Sequence, residues 1–174
     1  FETAAKAFAL TDRADLVGKA ISILANKAGI YGMIGGQSVD VEYTDRPVTK
    51  SQLEFIYELK TAALLEAAMM IGAVLAGADD NQVKAAEQIA HHVGMAFQIR
   101  DDILDVISTT EELGKPVKSD EKNTKTTYVP IYGLDGASKL VEEYSHTAMT
   151  LLDQVCPNAS FLKRLFEYLI VRKK

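Results

Sequence analysis

Several things are scarce in this 174-residue sequence, and each scarcity removes a class of protein. Cys156 is the only cysteine, so no intrachain disulfide can form, a usage that fits a reducing cytoplasm. Basic residues do not prevail: the formal net charge is −5, and no overall positive field invites nucleic acid. The longest apolar run, residues 67–78, is too short and too rich in Ala and Gly to span a bilayer, so no transmembrane segment is expected. No stretch alternates apolar and polar residues between turn signals, so no sheet is expected. The opening Phe1-Glu2-Thr3-Ala4-Ala5-Lys6 lacks a basic start followed by an apolar core, so no signal peptide is expected. There is also no initiator methionine, and Phe1, Ala4, Ala5 and Phe8 already sit at helical spacing. The expectation is a chain whose upstream portion is missing.

What is present is a globular balance, 48% apolar and 25% charged, enough for one domain over residues 1–174 with a sizeable core. Helical periodicity dominates and predicts an all-α bundle. Thr11 or Asp12 can cap a helix to about residue 27, stopped by Gly29. A second helix is expected over 31–41. Pro47 breaks the chain, and a capping box, Thr49 with Gln52 or Ser51 with Glu54, opens a long helix over 50–75. Asp80 or Asn81 should cap the next, over 82–107. Residues 108–126 hold eight charged side chains with Gly114 and Pro116, and read as a long functional loop. A short helix at 128–132, another from Asp135 to about 155, and a last one over 161–171 complete the pattern.

The chemistry concentrates in the helix over 82–107. At 100° per residue, Gln98, Asp101, Asp102 and Asp105 form one polar stripe. Ile99, Ile103, Val106 and Ile107 point toward apolar packing, and Arg100 lies opposite the stripe. Three carboxylates within two turns repel each other and offer folding nothing. They suit Mg²⁺, a hard cation that combines one or two carboxylates with substrate phosphates. A solvated acidic face is the plainer reading of such a stripe, but three other features weigh against it. Lys60 can bind a phosphate, and Thr61 can bond back to a preceding carbonyl and bend its helix. Gly114-Lys115, Asp120 and Lys125-Thr126-Thr127-Tyr128 suit a lid over a diphosphate. Gly35-Gly36-Gln37-Ser38-Val39-Asp40 reads equally as close helix packing or as a pocket wall lined by Gln37 and Asp40. His91-His92 point to different faces and suit no shared metal. Cys156 lacks a base in the sequence and reads as packing.

Taken in order, the motifs GGQSVDVE at 35–42, KTAAL at 60–64, FQIRDDILD at 97–105 and GKPVKSDEKNTKTTY at 114–128 resemble the trans-isoprenyl diphosphate synthases. The resemblance is greatest to bacterial short-chain enzymes of the farnesyl diphosphate synthase type and covers essentially the whole chain. It implies a helical fold around a deep central cavity, here without its N-terminal helices, and a cytoplasmic homodimer. It implies head-to-tail condensation of isopentenyl diphosphate with dimethylallyl or geranyl diphosphate, helped by Mg²⁺. Carried over, Asp101 would be a direct metal ligand, and Asp102 and Asp105 would bind metal directly or through water. Lys60, Lys115 and Lys125 would hold the allylic diphosphate. Thr61 and Gln98 would stabilise the carbocation with their oxygens, and Phe97 would line the substrate. Two departures stand out. The family's first aspartate-rich motif and its basic residues for isopentenyl diphosphate are absent, so the chain alone is expected to be inactive. Thr124 and Val129 replace the glycine and proline common in relatives, without loss of charge. The rival readings are a class I terpene cyclase, a non-catalytic subunit of a heteromeric prenyl synthase, and a plain helical scaffold.

Overall fold

The computed structural model describes residues 1–108 and 126–172, and among these every regular element is helical. A short α-helical turn (Glu2–Ala5) and a 3₁₀ turn (Lys6–Ala9) precede α1 (Ala14–Ala28). Neither Thr11 nor Asp12 is the cap of α1. Arg13 holds that position, and its N–H donates to Thr11 Oγ1 at 3.1 Å. Helix α2 (Met33–Glu42) follows, and α3 (Lys50–Tyr57) opens on the Thr49–Gln52 capping box rather than the Ser51 alternative. Helix α3 runs through a π-helical turn (Glu58–Ala62) into α4 (Ala63–Leu75).

Helix α5 (Asp80–Ile107) begins two residues earlier than expected. Asp79, not Asp80 or Asn81, accepts from the Gln82 N–H, and the Gln82 side chain returns the bond. Helix α6 (Tyr128–Val155) is interrupted where the two expected helices meet: Gly133 has φ 70°, a conformation that only glycine adopts without strain. Helix α7 is Ser160–Val171.

The two 28-residue helices, α5 and α6, make the most extensive interhelical contact and organise the interior. One core cluster joins Leu53, Ile56 and Tyr57 of α3 to Met95, Ile99 and Ile103 of α5 and to Tyr128 and Val141 of α6. Ile99 is 0% exposed, and burying such a side chain contributes about 1.5–3 kcal/mol. A second cluster joins Ile89 and Val93 to Leu152 and to Phe166 of α7. Val106 and Ile107, expected in the packing, are exposed because they lie in the last turn of α5, beyond this contact. No described helix is long and apolar enough to cross a membrane.

Candidate diphosphate and metal site

Helices α3 and α4 run antiparallel to α5, and polar pairs cross between them like rungs. Tyr57 Oη donates to Asp102 Oδ2 at 2.6 Å. Four residues further along each helix, Thr61 Oγ1 donates to Gln98 Oε1 at 2.8 Å. Asp102 Oδ2 also accepts the Tyr128 N–H at 3.0 Å, which ties the start of α6 to the stripe. Asp102 is 3% exposed and Asp105 5%, so two members of the stripe lie inside the fold rather than on a solvated face. The Tyr128 ring lies against Tyr57 with centroids 5.2 Å apart and stacks on Tyr132 at 5.5 Å. Burial, with the charge of nearby acidic groups, pushes the Tyr128 phenol well above its usual range and keeps it neutral.

The π-helical turn carries Lys60 and Thr61, at the place where the sequence suggests a bent helix. The cause differs from the one expected: the Thr61 hydroxyl reaches across to Gln98 instead of back-bonding to its own helix. Two glycines hold this turn from opposite sides. A Cβ on Gly36 of α2 would lie 2.4 Å from the Lys60 nitrogen, and one on Gly94 of α5 would lie 2.7 Å from the Ala62 Cα. Neither helix could approach so closely with any side chain there. Both glycines at 35–36 serve close packing, Gly36 against the Lys60 segment and Gly35 against the Ile30 backbone before α2. Asp40, one turn further on, pairs with Lys60 Nζ at 2.6 Å. Gln37 departs from expectation and lies in a separate surface hollow with Met33, Ile34 and Val41.

These elements enclose a cleft lined by Asp40, Tyr43, Arg46, Lys60, Thr61, Gln98, Asp102, Thr126 and Thr127, with Tyr57 and Val48 among its other walls. On the far side of the stripe, Arg172 Nη2 donates to Asp101 Oδ1 at 2.6 Å, and its guanidinium lies 3.8 Å from the centroid of Phe97. Lys115 and Lys125, with Gly114 and Asp120, lie outside the described residues. Tyr57, Arg46 and Arg172 are the members that sequence reasoning missed. Tyr57 had a signal: it precedes Thr61 by the same four residues that separate Asp102 from Gln98.

The donor set consists of hard carboxylate oxygens, which suit hard cations such as Mg²⁺. Among the described residues, no three His, Cys, Asp or Glu side chains gather as a self-sufficient metal cage. That is compatible with Mg²⁺, which takes one or two carboxylates and fills its other positions with water and phosphate oxygens. Asp101, Asp102 and Asp105, on one stripe of α5, would hold it. The Tyr57 hydroxyl and the Tyr128 amide both donate to Asp102 Oδ2 and orient that carboxylate.

A second polar cluster lies further back along the same helices. Lys27 of α1 bonds Glu66 of α4 and reaches Glu87 of α5 at 2.5 Å, while His91 Nδ1 lies 3.2 Å from Glu66 Oε1. Burial disfavours charge on Lys27 and Glu66, but their hydrogen bonds outweigh it: Lys27 sits above its ordinary range and Glu66 below. His91 is raised, chiefly by its bond to Glu66. His92 lies against Tyr144 with the rings tilted, and its pKa is lowered, first by burial and then by the His91 charge. Cys156, expected in the packing, is exposed.

Comparison with known proteins gives one consistent result. A family model described as polyprenyl synthetase matches residues 3–159. The farnesyl diphosphate synthase of Geobacillus stearothermophilus is 38% identical over 152 residues, covering 87% of this chain and 51% of that protein. The geranylgeranyl diphosphate synthase of Cyanophora paradoxa is 42% identical over 130 residues, covering 74% of this chain and 43% of the relative. Among solved structures, the Helicobacter pylori geranyltransferase complexed with magnesium and isoprenyl diphosphate superposes with a TM-score of 0.76 at 31% identity. That match covers 91% of this chain and 52% of the other. The chain thus spans about half the length of the curated relatives it matches.

Proposed function

The chain belongs to the polyprenyl synthetase family, and from that premise we propose that it forms one aspartate-lined wall of a trans-prenyltransferase site. The reaction joins isopentenyl diphosphate head to tail to an allylic diphosphate, dimethylallyl or geranyl. The observation that carries this reading is the convergence of the Thr61–Gln98 pair, Lys60 and Asp102 on one cleft, with Asp101 and Asp105 on the same stripe.

The allylic C–O bond breaks, and diphosphate leaves with the electron pair. The double bond of isopentenyl diphosphate then attacks the allylic cation, and a proton is lost. Mg²⁺, when bound, supplies positive charge to the departing diphosphate. Asp101, Asp102 and Asp105 would hold that metal, directly or through water, and Asp102, anchored by Tyr57 and Tyr128, also keeps the end of α5 in register with α3. Lys60, aimed by Asp40, binds the diphosphate with Lys115 and Lys125. Thr61 Oγ1 and Gln98 Oε1, 2.8 Å apart, present oxygen dipoles to the cation, and Phe97 lines the approach. The working assembly is a cytoplasmic homodimer, as the resemblance implies. The 174-residue chain has a single aspartate triad of this kind, so on its own it binds without turnover.

Calorimetry with a non-hydrolysable bisphosphonate tests the site. Binding is expected only with Mg²⁺ and is expected to vanish in the Asp101→Asn, Asp105→Asn double variant. Magnesium-independent binding, or none at millimolar probe, would sink the reading. Turnover of geranyl diphosphate with isopentenyl diphosphate by this chain alone would overturn the claim that it is inactive by itself.

A further inference from the structure

Asp101 is held by a cation of the protein's own. Arg172, the residue after α7, places Nη2 2.6 Å from Asp101 Oδ1 and lays its guanidinium on Phe97, four residues before Asp101 on the same face of α5. The Arg172 carbonyl accepts two bonds from Arg100, at 3.2 Å from Nη2 and 3.4 Å from Nε. The Arg172 side chain is 16% exposed, and its Nε is buried with no acceptor among the described residues. A guanidinium taken this far out of water needs a strong compensating anion, and Asp101 is the one it has found. The end of α7 is already fastened through the Arg100–carbonyl bonds, so fastening alone does not require a charge on Asp101.

We propose that Arg172 is an internal counter-cation that competes with the divalent metal for Asp101. It neutralises the carboxylate and keeps its rotamer when no metal is present, and the metal must displace it to bind. The inference rests on the reading of Asp101 as a metal ligand. Two cations on one carboxylate repel each other in this partly buried setting, so occupancy is exclusive. The stack on Phe97 gives the guanidinium a fixed place from which it is displaced, and the anchored carbonyl gives the movement a pivot.

The test uses the wild-type chain, Arg172→Gln and Arg172→Lys. At saturating bisphosphonate, the Mg²⁺ concentration for half-saturation is measured by calorimetry. Arg172→Gln should lower it about five- to tenfold, because the metal-competent state is then always populated. Arg172→Lys, which keeps the charge and loses the planar stack, should fall between. In EDTA, a double-mutant cycle of Arg172→Gln with Asp101→Asn reads the pair without any metal, and the two melting-temperature losses should be strongly non-additive. An unchanged or raised Mg²⁺ requirement overturns the proposal, as do additive losses. Arg172 acting on the diphosphate instead would weaken bisphosphonate affinity without altering the Mg²⁺ requirement. If none of the three chains binds the probe with Mg²⁺ while the cycle remains non-additive, the metal reading of Asp101 fails, and the competition fails with it.

Discussion

Near the start of α5, Glu66 meets Lys27 and His91; near its end, Asp102 meets the Tyr57 hydroxyl and the Tyr128 amide. Both clusters bury a carboxylate where α5 packs against the continuous α3–α4 segment. The first pairs acids with cations, so its bonds are intramolecular neutralisation. In the second, the tyrosine and amide donors that position Asp102 carry no charge, so these two bonds orient the carboxylate without neutralising it. A scaffold is served by the first arrangement and a cation-binding wall by the second.

Three experiments press on that contrast. The largest effect belongs to Lys27→Met, which leaves Glu66 buried with only His91 as a charged partner. It should cost about 3 kcal/mol in urea unfolding and leave Mg²⁺-dependent bisphosphonate binding unchanged. A change in binding would mean that the two clusters are coupled. Tyr57→Phe should cost about 1–2 kcal/mol of stability, the usual loss when a buried acceptor loses a donor. It should also weaken bisphosphonate binding several-fold. Unaltered binding would reduce Tyr57 to a packing residue.

The smallest effect is a pH dependence. Folding raises the His91 pKa, so its stabilisation is complete below about pH 6.5 and is lost as pH climbs through the raised value. Folding lowers that of Glu66, so its share is complete above about pH 4.5 and is lost as pH falls through the lowered value. His92, lowered by burial, takes back part of the gain on the acidic side of pH 6.5. Glu66, Glu58 and Lys27 are the charged groups that act on His91. His91→Gln should therefore remove about 1 kcal/mol of stability at pH 5.5 and much less at pH 9, read from unfolding midpoints. Equal losses at both pH values would show that the His91–Glu66 bond is not charge-assisted.

Most of the helices were legible because their signals are local: the Thr49–Gln52 box, the apolar period, the break between residues 132 and 135. The aspartate stripe was legible for the same reason, since one helix fixes its geometry. What escaped depends on partners far away in sequence. Arg172 lies 71 residues from Asp101, and Lys27 lies 39 from Glu66. In a sequence, each reads as a solvated charge at the edge of an amphipathic helix. The exposure of Val106 and Ile107 escaped because periodicity says which way a residue points but not where its neighbour ends. The misplaced start of α5 has a smaller cause: three adjacent polar residues can all cap, and only the reciprocal bond from Gln82 chooses Asp79 among them.

The π-helical turn links the two clusters in a further way. Before it, the inward positions are 53, 56 and 57; after it they resume at 62, 63, 66 and 67. The gap from 57 to 62 is one residue longer than a regular helix allows. The turn is thus a phase shift, a single inserted beat that rotates everything downstream by about 100°. Tyr57 and Glu66 can both face α5 only because of it. Removing one residue between 58 and 61 would leave two well-formed helices out of step, with one cluster assembled and the other turned toward water.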